Sequence, residues 1–314
     1  MKGLELAEKF YKEFGESMLN ESFSHMLPYI AVGLMGSGSE CYGYDDDISQ
    51  DHDFEPGFCV FIPDENIVDS KSAFELERAY SKLPKEFMGF KRATVSPVGG
   101  NRHGVIRIGD FIEAKTGSRN GDLSVGQWFS VPEYSLSEAV NGAVFSDNYG
   151  ELTAVREKLK YFPEDIRLKK LAGNLLLMAQ SGQYNYNRCI SRGETAAAQL
   201  ALFEFVKSAI NVFFLINKKY MPYYKWCFRS LRELNEECLL FSDKLEFLIS
   251  EGNESNLAVK KNEIIDEICI AISEELKNQN LILFPSNEME EQAYIVNNNI
   301  YDNQIRNMHI LSAV

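Results

Sequence analysis

The chain has 314 residues, 45% of them hydrophobic and 25% charged, with a net charge of −14. That length suits two domains with a core that needs no metal or disulfide staple. The acidic balance excludes non-specific binding to nucleic-acid backbones, while a local basic patch can still hold a nucleotide or a structured RNA.

Residues 4–26 read as a helix, with Leu4, Phe10, Phe14, Met18 and Leu19 as its apolar positions. The same stretch lacks the apolar centre of a signal peptide. Residues 29–35 form a short apolar run expected as a buried strand, and the Gly-Ser segment 36–39 ends it. Polar 42–50 reads as a loop. Residues 51–63 alternate into a second strand that closes on FCVFI. Helical spacing through Ala73, Leu76, Ala79 and Leu83 predicts a helix over 64–83, and VIRI at 105–108 predicts a third strand. From Pro163 onward the pattern is helical. The first of these helices covers 163–181, with Pro163, Glu164 and Asp165 in its first turn and Gly182 as its stop. Others follow at 195–218, 222–250 and 258–278, and a last one at 286–296 in an asparagine-rich tail.

The expected class is therefore α+β. A small mixed-sheet domain spans 1–150, an all-α helical bundle spans 151–285, and the tail 286–314 has no assigned role. The boundary is expected between 145 and 163. Six scattered cysteines without a CxxC pair read as reduced thiols of a cytoplasmic protein, with no disulfide partner. The longest apolar stretch, 201–216, is broken by Glu204, Lys207 and Asn211, so no membrane span is expected.

The chemistry concentrates in AVGLMGSGSECYGYDDDISQDHDFEPGFCVFI. Gly36, Ser37, Gly38 and Ser39 follow the first strand. Glycines let the backbone approach a triphosphate, and amide and hydroxyl groups can bind its oxygens. Asp51 and Asp53 open the second strand as residues i and i+2, which places two carboxylates on one face. Such an oxygen-rich pair suits Mg²⁺, which keeps water and substrate phosphates as its other ligands. Two ions so held stabilise both oxygens of an in-line displacement. Gly-x-Gly-Ser or Asp-x-Asp alone is a weak signal; their order and spacing between strand-like runs make the combination specific. The triple acid Asp45–Asp46–Asp47 reads as a solvated loop. His52, between the two aspartates, should point to the opposite face as a packing residue.

These residues resemble the nucleotidyltransferase superfamily, the DNA polymerase beta-like fold. Gly38-Ser39-Glu40-Cys41-Tyr42-Gly43 is similar to the Gly-Ser-x-x-x-Gly form of aminoglycoside and minimal nucleotidyltransferases, and Asp51-His52-Asp53-Phe54 to the metal-binding half. QDHDF, KEFMGF, LMAQSGQYNYNRC and NKKYMPYYKW further resemble a bacterial family carrying this domain, over most of residues 1–235. The resemblance implies transfer of a nucleoside monophosphate from an NTP, ATP foremost, to an acceptor hydroxyl, with two Mg²⁺ ions that Mn²⁺ can replace. It also implies a third carboxylate from a later strand. VIRI contains none, so Asp110 is the candidate, with Glu113 behind it. The acceptor is open between a small molecule, a protein and an RNA. A rival reading keeps the fold as a nucleotide-binding regulator with little turnover.

In the helical half, Glu204, Lys207, Ser208 and Asn211 fall at i, i+3, i+4 and i+7, a single polar stripe. Glu204 could act as general base and Lys207 could steady phosphate charge; the alternative is a solvent-facing ion pair. Tyr184 and Lys225, in two polar-aromatic segments, are candidates for substrate contact, although both segments could equally pack in the core. Arg156, Lys158, Arg167, Lys169 and Lys170 are expected to decorate a solvated helix face.

Overall fold

A computed structural model describes residues 1–50, 54–92 and 103–314. The protein is α+β, 61% helical, with a small mixed sheet and a helical C-terminal region. The chain divides into two compact units, residues 1–123 with 135–160, and residues 124–134 with 161–314.

The first unit is built on a four-stranded sheet in the order β5-β2-β1-β6, formed by β1 (Ala31–Leu34), β2 (Cys59–Ile62), β5 (Gly104–Arg107) and β6 (Ala143–Asp147). Here β1 is antiparallel to both β2 and β6, whereas β2 and β5 run parallel. Strands β3 (Glu86–Phe87) and β4 (Phe90–Lys91) make a separate hairpin. β1 and β2 are buried along their whole length, which explains their continuous apolar runs. Of the strand expected over 51–63, the described part is strand over 59–62, and residues 54–58 before it are not.

Helix α1 (Gly3–Phe10) continues through a π-helical turn, Tyr11–Gly15, into α2 (Glu16–Ser22). The wide turn and its glycine have one cause. A Cβ on Gly15 would lie 2.6 Å from Phe58 Cζ, so the ring packs where a side chain would stand. Phe10, Phe58 and Tyr80 centre the core of this unit, with ring centroids 6.0 and 5.1 Å apart. Helix α3 is shorter than its apolar pattern suggested, Ser70–Tyr80, because Asp69 accepts from the Ser72 amide (2.8 Å) and caps it. Helices α4 (Ile108–Thr116), α6 (Glu133–Val140) and α7 (Glu151–Lys158) fill the stretch between the last predicted strand and Pro163, and α5 (Val125–Ser130) belongs to the second unit.

In the second unit, α8 (Glu164–Met178) does not stop at Gly182. It runs on through a π-helical segment, Ala179–Tyr186, into α9 (Asn187–Ser191). Gly182 is instead the place where Phe205 of α10 (Thr195–Ile216) presses on the backbone; any Cβ would collide with that ring. The predicted 222–250 helix is two, α11 (Tyr224–Arg232) and α12 (Glu236–Ser250), separated because Asn235 caps the second through the Cys238 amide (2.8 Å). Helices α13 (Ser255–Asn278), α14 (Met289–Asn298) and α15 (Asn303–Asn307) complete it. Among the described residues α10 alone is long and apolar enough to cross a membrane, and 61% of its apolar window is buried inside the protein, as for a core helix.

Three of the five basic residues expected on a solvated face are buried: Arg167, Lys169 and Lys170. Arg167 forks onto Glu164 (2.6 and 3.0 Å). Lys169 donates to Asn297 Oδ1 (2.9 Å) and to the carbonyls of Arg306 (3.2 Å) and Met308 (2.7 Å). A run of charges one turn long carries no sign of what lies opposite it. For Lys169 and Lys170 acceptors come from more than a hundred residues away, and they satisfy the charged groups that burial would otherwise penalise.

All six cysteines are free thiols, and all but Cys189 are buried. Burial pushes the Cys238 thiol up to about 11, further from the reactive thiolate. Iodoacetamide on the folded protein at pH 8 is expected to modify Cys189 alone, read by peptide mass; equal labelling of Cys238 or Cys269 before denaturant is added would contradict this packing.

Candidate functional site

β1 delivers the chain through buried Met35 into the turn 36–39. Gly36 and Gly38 have φ of +107° and +128°, values that side-chain-bearing residues rarely adopt, so both glycines are conformational requirements. The turn is held by the C-terminal half of α6 and the residues just after it. Asn141 pairs with Gly36 in both directions: Gly36 N donates to Asn141 Oδ1 and Asn141 Nδ2 donates to Gly36 O, each at 2.9 Å. The Gly36 amide is thus committed to fixing the turn. The Ser37 hydroxyl donates to Glu138 Oε2 (2.8 Å) and accepts from Lys115 Nζ (3.0 Å), and Lys115 and Glu138 form an ion pair at 2.5 Å. Ser39 opens a short 3₁₀ turn, Glu40–Tyr42; its carbonyl accepts from the Tyr42 and Tyr44 amides, and its hydroxyl does not cap the turn. Tyr42 donates to Ser137 Oγ (3.1 Å), and burial pushes its phenol up to about 12. Gly142 donates its amide to Cys41 O, and a Cβ there would collide with the Leu34 carbonyl.

Sequence reading missed Lys115, Glu138 and Asn141. The only local cue was the turn dipeptide Asn141-Gly142; the 105-residue separation between Asn141 and Gly36 hides the pairing.

Asp51, His52 and Asp53 lie outside the described residues. Their neighbour Phe54 is described: a Cβ on Gly3 would lie 3.2 Å from Phe54 Cε2 and 2.6 Å from Glu40 Cβ. The residue after Asp53 and the residue after Ser39 therefore crowd the same glycine. The strand register agrees. Cys59 pairs with Gly33, so the start of β2 and the end of β1 share one edge of the sheet. At that edge His103 Nδ1 contacts Glu55 Oε1 (3.0 Å), just before β5.

Asp110 is at the other edge. Ile62 pairs with Arg107, opposite the Ala31 end of β1, and Asp110 stands in the first turn of α4 just beyond. It is ion-paired to Arg119, which also binds Asp64 (2.6 Å) and Glu113 (3.2 Å). A guanidinium, and no shared cation seat, collects these three carboxylates. Among the described residues no group of three or more His, Cys, Asp or Glu is arranged to hold a metal ion. Ile108 already belongs to α4, so Asp110 is carried on that helix and not on the strand.

Asp45 is not a solvated loop acid. It is buried, and its Oδ2 accepts from the Gly3 amide (2.8 Å) at the positive end of α1, with Lys2 Nζ 3.7 Å from Oδ1. It serves α1 as a capping carboxylate from 42 residues away. Asp45→Ala is expected to cost about 1–2 kcal/mol, read as a lower urea midpoint at unchanged slope; an unchanged midpoint would remove this role.

In the second unit, Glu204 and Lys207 lie 4.0 Å apart on α10, Lys207 exposed and Glu204 partly so. The stripe of four polar residues is not exposed throughout, because Ser208 is buried. Tyr184 is exposed, with the Arg188 guanidinium 4.7 Å over its ring and bonded to its hydroxyl (2.5 Å). Lys225 Nζ lies 5.1 Å from the Trp226 ring. These two cation–aromatic pairs are surface features of one unit.

Residues 128–227 match a sequence family described as a domain of unknown function, DUF4037. That span runs from α5 into α11 and includes Tyr184, Glu204, Lys207 and Lys225. No curated protein matches the chain.

Proposed function

We propose that the protein is a Mg²⁺-dependent nucleotidyltransferase of the DNA polymerase beta-like type, with its nucleotide site at the turn 36–39. The observation that carries this reading is the convergence of Phe54 and Glu40 on Gly3 at the sheet edge shared by the end of β1 and the start of β2. It brings the chain neighbours of Asp53 and Ser39 together, as a triphosphate held by one and a metal held by the other would require.

Two carboxylates fit Mg²⁺ by donor chemistry, since the ion takes hard oxygens and keeps water and phosphate ligands. Asp51 and Asp53 would hold it, and when bound it offsets polyphosphate charge and stabilises the entering and leaving oxygens. Ser39 and the backbone from Ser37 to Gly38 would bind the triphosphate oxygens, while Gly36 keeps the turn in shape through Asn141. The acceptor hydroxyl forms the new O–P bond at the α-phosphorus, pyrophosphate leaves with the bonding electrons, and the hydroxyl proton passes to water. ATP is the first donor to test, with Mn²⁺ able to replace Mg²⁺. The acceptor is a small molecule, a protein or an RNA, and six free thiols favour a reducing compartment such as the cytoplasm.

A second reading, a nucleotide-binding regulator with little turnover, is favoured by one observation: Asp110, the sequence candidate for the third carboxylate, is bound to Arg119. Incubating the protein with each α-³²P-labelled NTP, Mg²⁺ and a cell extract separates the two. Pyrophosphate release with label on an acceptor supports transfer; nucleotide binding without release supports the regulator.

A further inference from the structure

Ser37 and Lys115 already hold an anion. Both donate to one oxygen of Glu138, Oε2, at 2.8 and 2.5 Å, and the Lys115 and Glu138 side chains are mostly shielded from solvent, at 18% and 12% exposure. Lys115 Nζ also donates to Ser37 Oγ (3.0 Å). Lys115 comes from the last turn of α4 and Glu138 from α6, and Ser37 itself is exposed between the two positive-φ glycines. A hydroxyl and an ammonium converging on one carboxylate oxygen in a glycine turn is the donor set that recognises a phosphoryl oxygen.

We propose that Ser37 and Lys115 form an anion seat that Glu138 fills when no ligand is present, and that a terminal phosphoryl group of a polyphosphate displaces Glu138 from it. The inference rests on the phosphate-binding reading of the turn. It adds an internal competitor: Glu138 lowers affinity for polyphosphate by occupying Lys115, and its repulsion favours departure of the product anion. Such a competitor sets binding through the difference between two anions for one cation, so removing it must strengthen binding whereas removing the cation must weaken it. An ordinary structural ion pair gives no such opposite signs.

The test is titration calorimetry of the full chain with inorganic tripolyphosphate and pyrophosphate, with and without Mg²⁺. Glu138→Gln is expected to bind tripolyphosphate about tenfold more tightly than the parent, and Lys115→Gln about tenfold more weakly, the scale of one charge-assisted contact. Lys115→Arg should keep most of the affinity, and added NaCl should shrink the Glu138→Gln gain. If Glu138→Gln fails to fold by circular dichroism, Glu138→Asp, which withdraws the carboxylate by one methylene, takes its place and is expected to gain affinity in the same direction. Unchanged or weaker binding by the folded Glu138 variant overturns the seat, and so does an absence of tripolyphosphate binding in every form. The two readings fail separately. Tighter binding by Glu138→Gln with no label ever transferred keeps the seat and removes the transferase. Label transfer with no effect of Glu138→Gln does the reverse.

Discussion

Asp51→Asn combined with Asp53→Asn is expected to abolish transfer of label from an α-labelled NTP, a fall of at least about 10³-fold, or ~4 kcal/mol of transition-state stabilisation. Asparagine keeps the volume and one oxygen of aspartate but removes the charge that holds a divalent cation, so each replacement weakens the ion without enlarging or emptying the site. The fold should persist, shown by an unchanged far-UV spectrum. The variant should still bind tripolyphosphate through Ser37 and Lys115 in the absence of Mg²⁺, because those donors come from the turn and from α4. Full labelling by the double variant would defeat the mechanism, whereas binding that survives while transfer is lost isolates the metal step from phosphate recognition.

The largest expected stability effect lies in the second unit. Lys170 is buried, with its Nζ 3.9 Å from Glu133 Oε1, donating to Ala313 O (3.2 Å) and lying 5.2 Å from the Phe162 ring. Glu133 accepts from the Met221 amide as well (3.4 Å). Lys170→Met should cost about 3–5 kcal/mol, because it leaves a carboxylate buried without its counter-charge. Burial raises the Glu133 carboxyl and Lys170 counteracts that rise, so the variant's carboxyl should move further up. A group raised above its unfolded value contributes stability that is complete below the unfolded pKa of about 4.3 and is lost as pH climbs through the folded value. The deficit of Lys170→Met relative to the parent should therefore grow as pH rises past the parent's folded value, where the parent's carboxyl is ionised and the variant's still holds its proton. Adding Glu133→Gln should recover part of the loss and flatten that dependence, since no buried charge remains. Equal urea midpoints for parent and Lys170→Met at pH 8 would show that the pair carries no net stability.

Wherever a periodic apolar pattern had one cause, the sequence alone was enough to read it. β1 is a fully buried strand and was legible as a continuous apolar run, whereas β2, expected to alternate, is buried throughout. Helix α10 was legible over nearly its whole length, because its core-facing positions recur at helical spacing. The glycines of the turn 36–39 were also readable, since positive φ demands them locally. What escaped was set by partners distant in the chain. Gly182 looked like a helix stop and is a contact point for Phe205. Lys169 and Lys170 looked like surface charges and are buried on acceptors that only the folded chain supplies.

The sequence by itself determined the α+β class and the glycine turn that ends the first strand. Only the tertiary structure decided that Asn141 and Glu138 secure the turn, that Lys115 is the cation beside it, and that Asp110 belongs to Arg119 at the far edge of the sheet. The physical reason is that backbone conformation and apolar periodicity are written in neighbouring residues, whereas a buried polar group is satisfied by whichever donor or acceptor the fold carries to it.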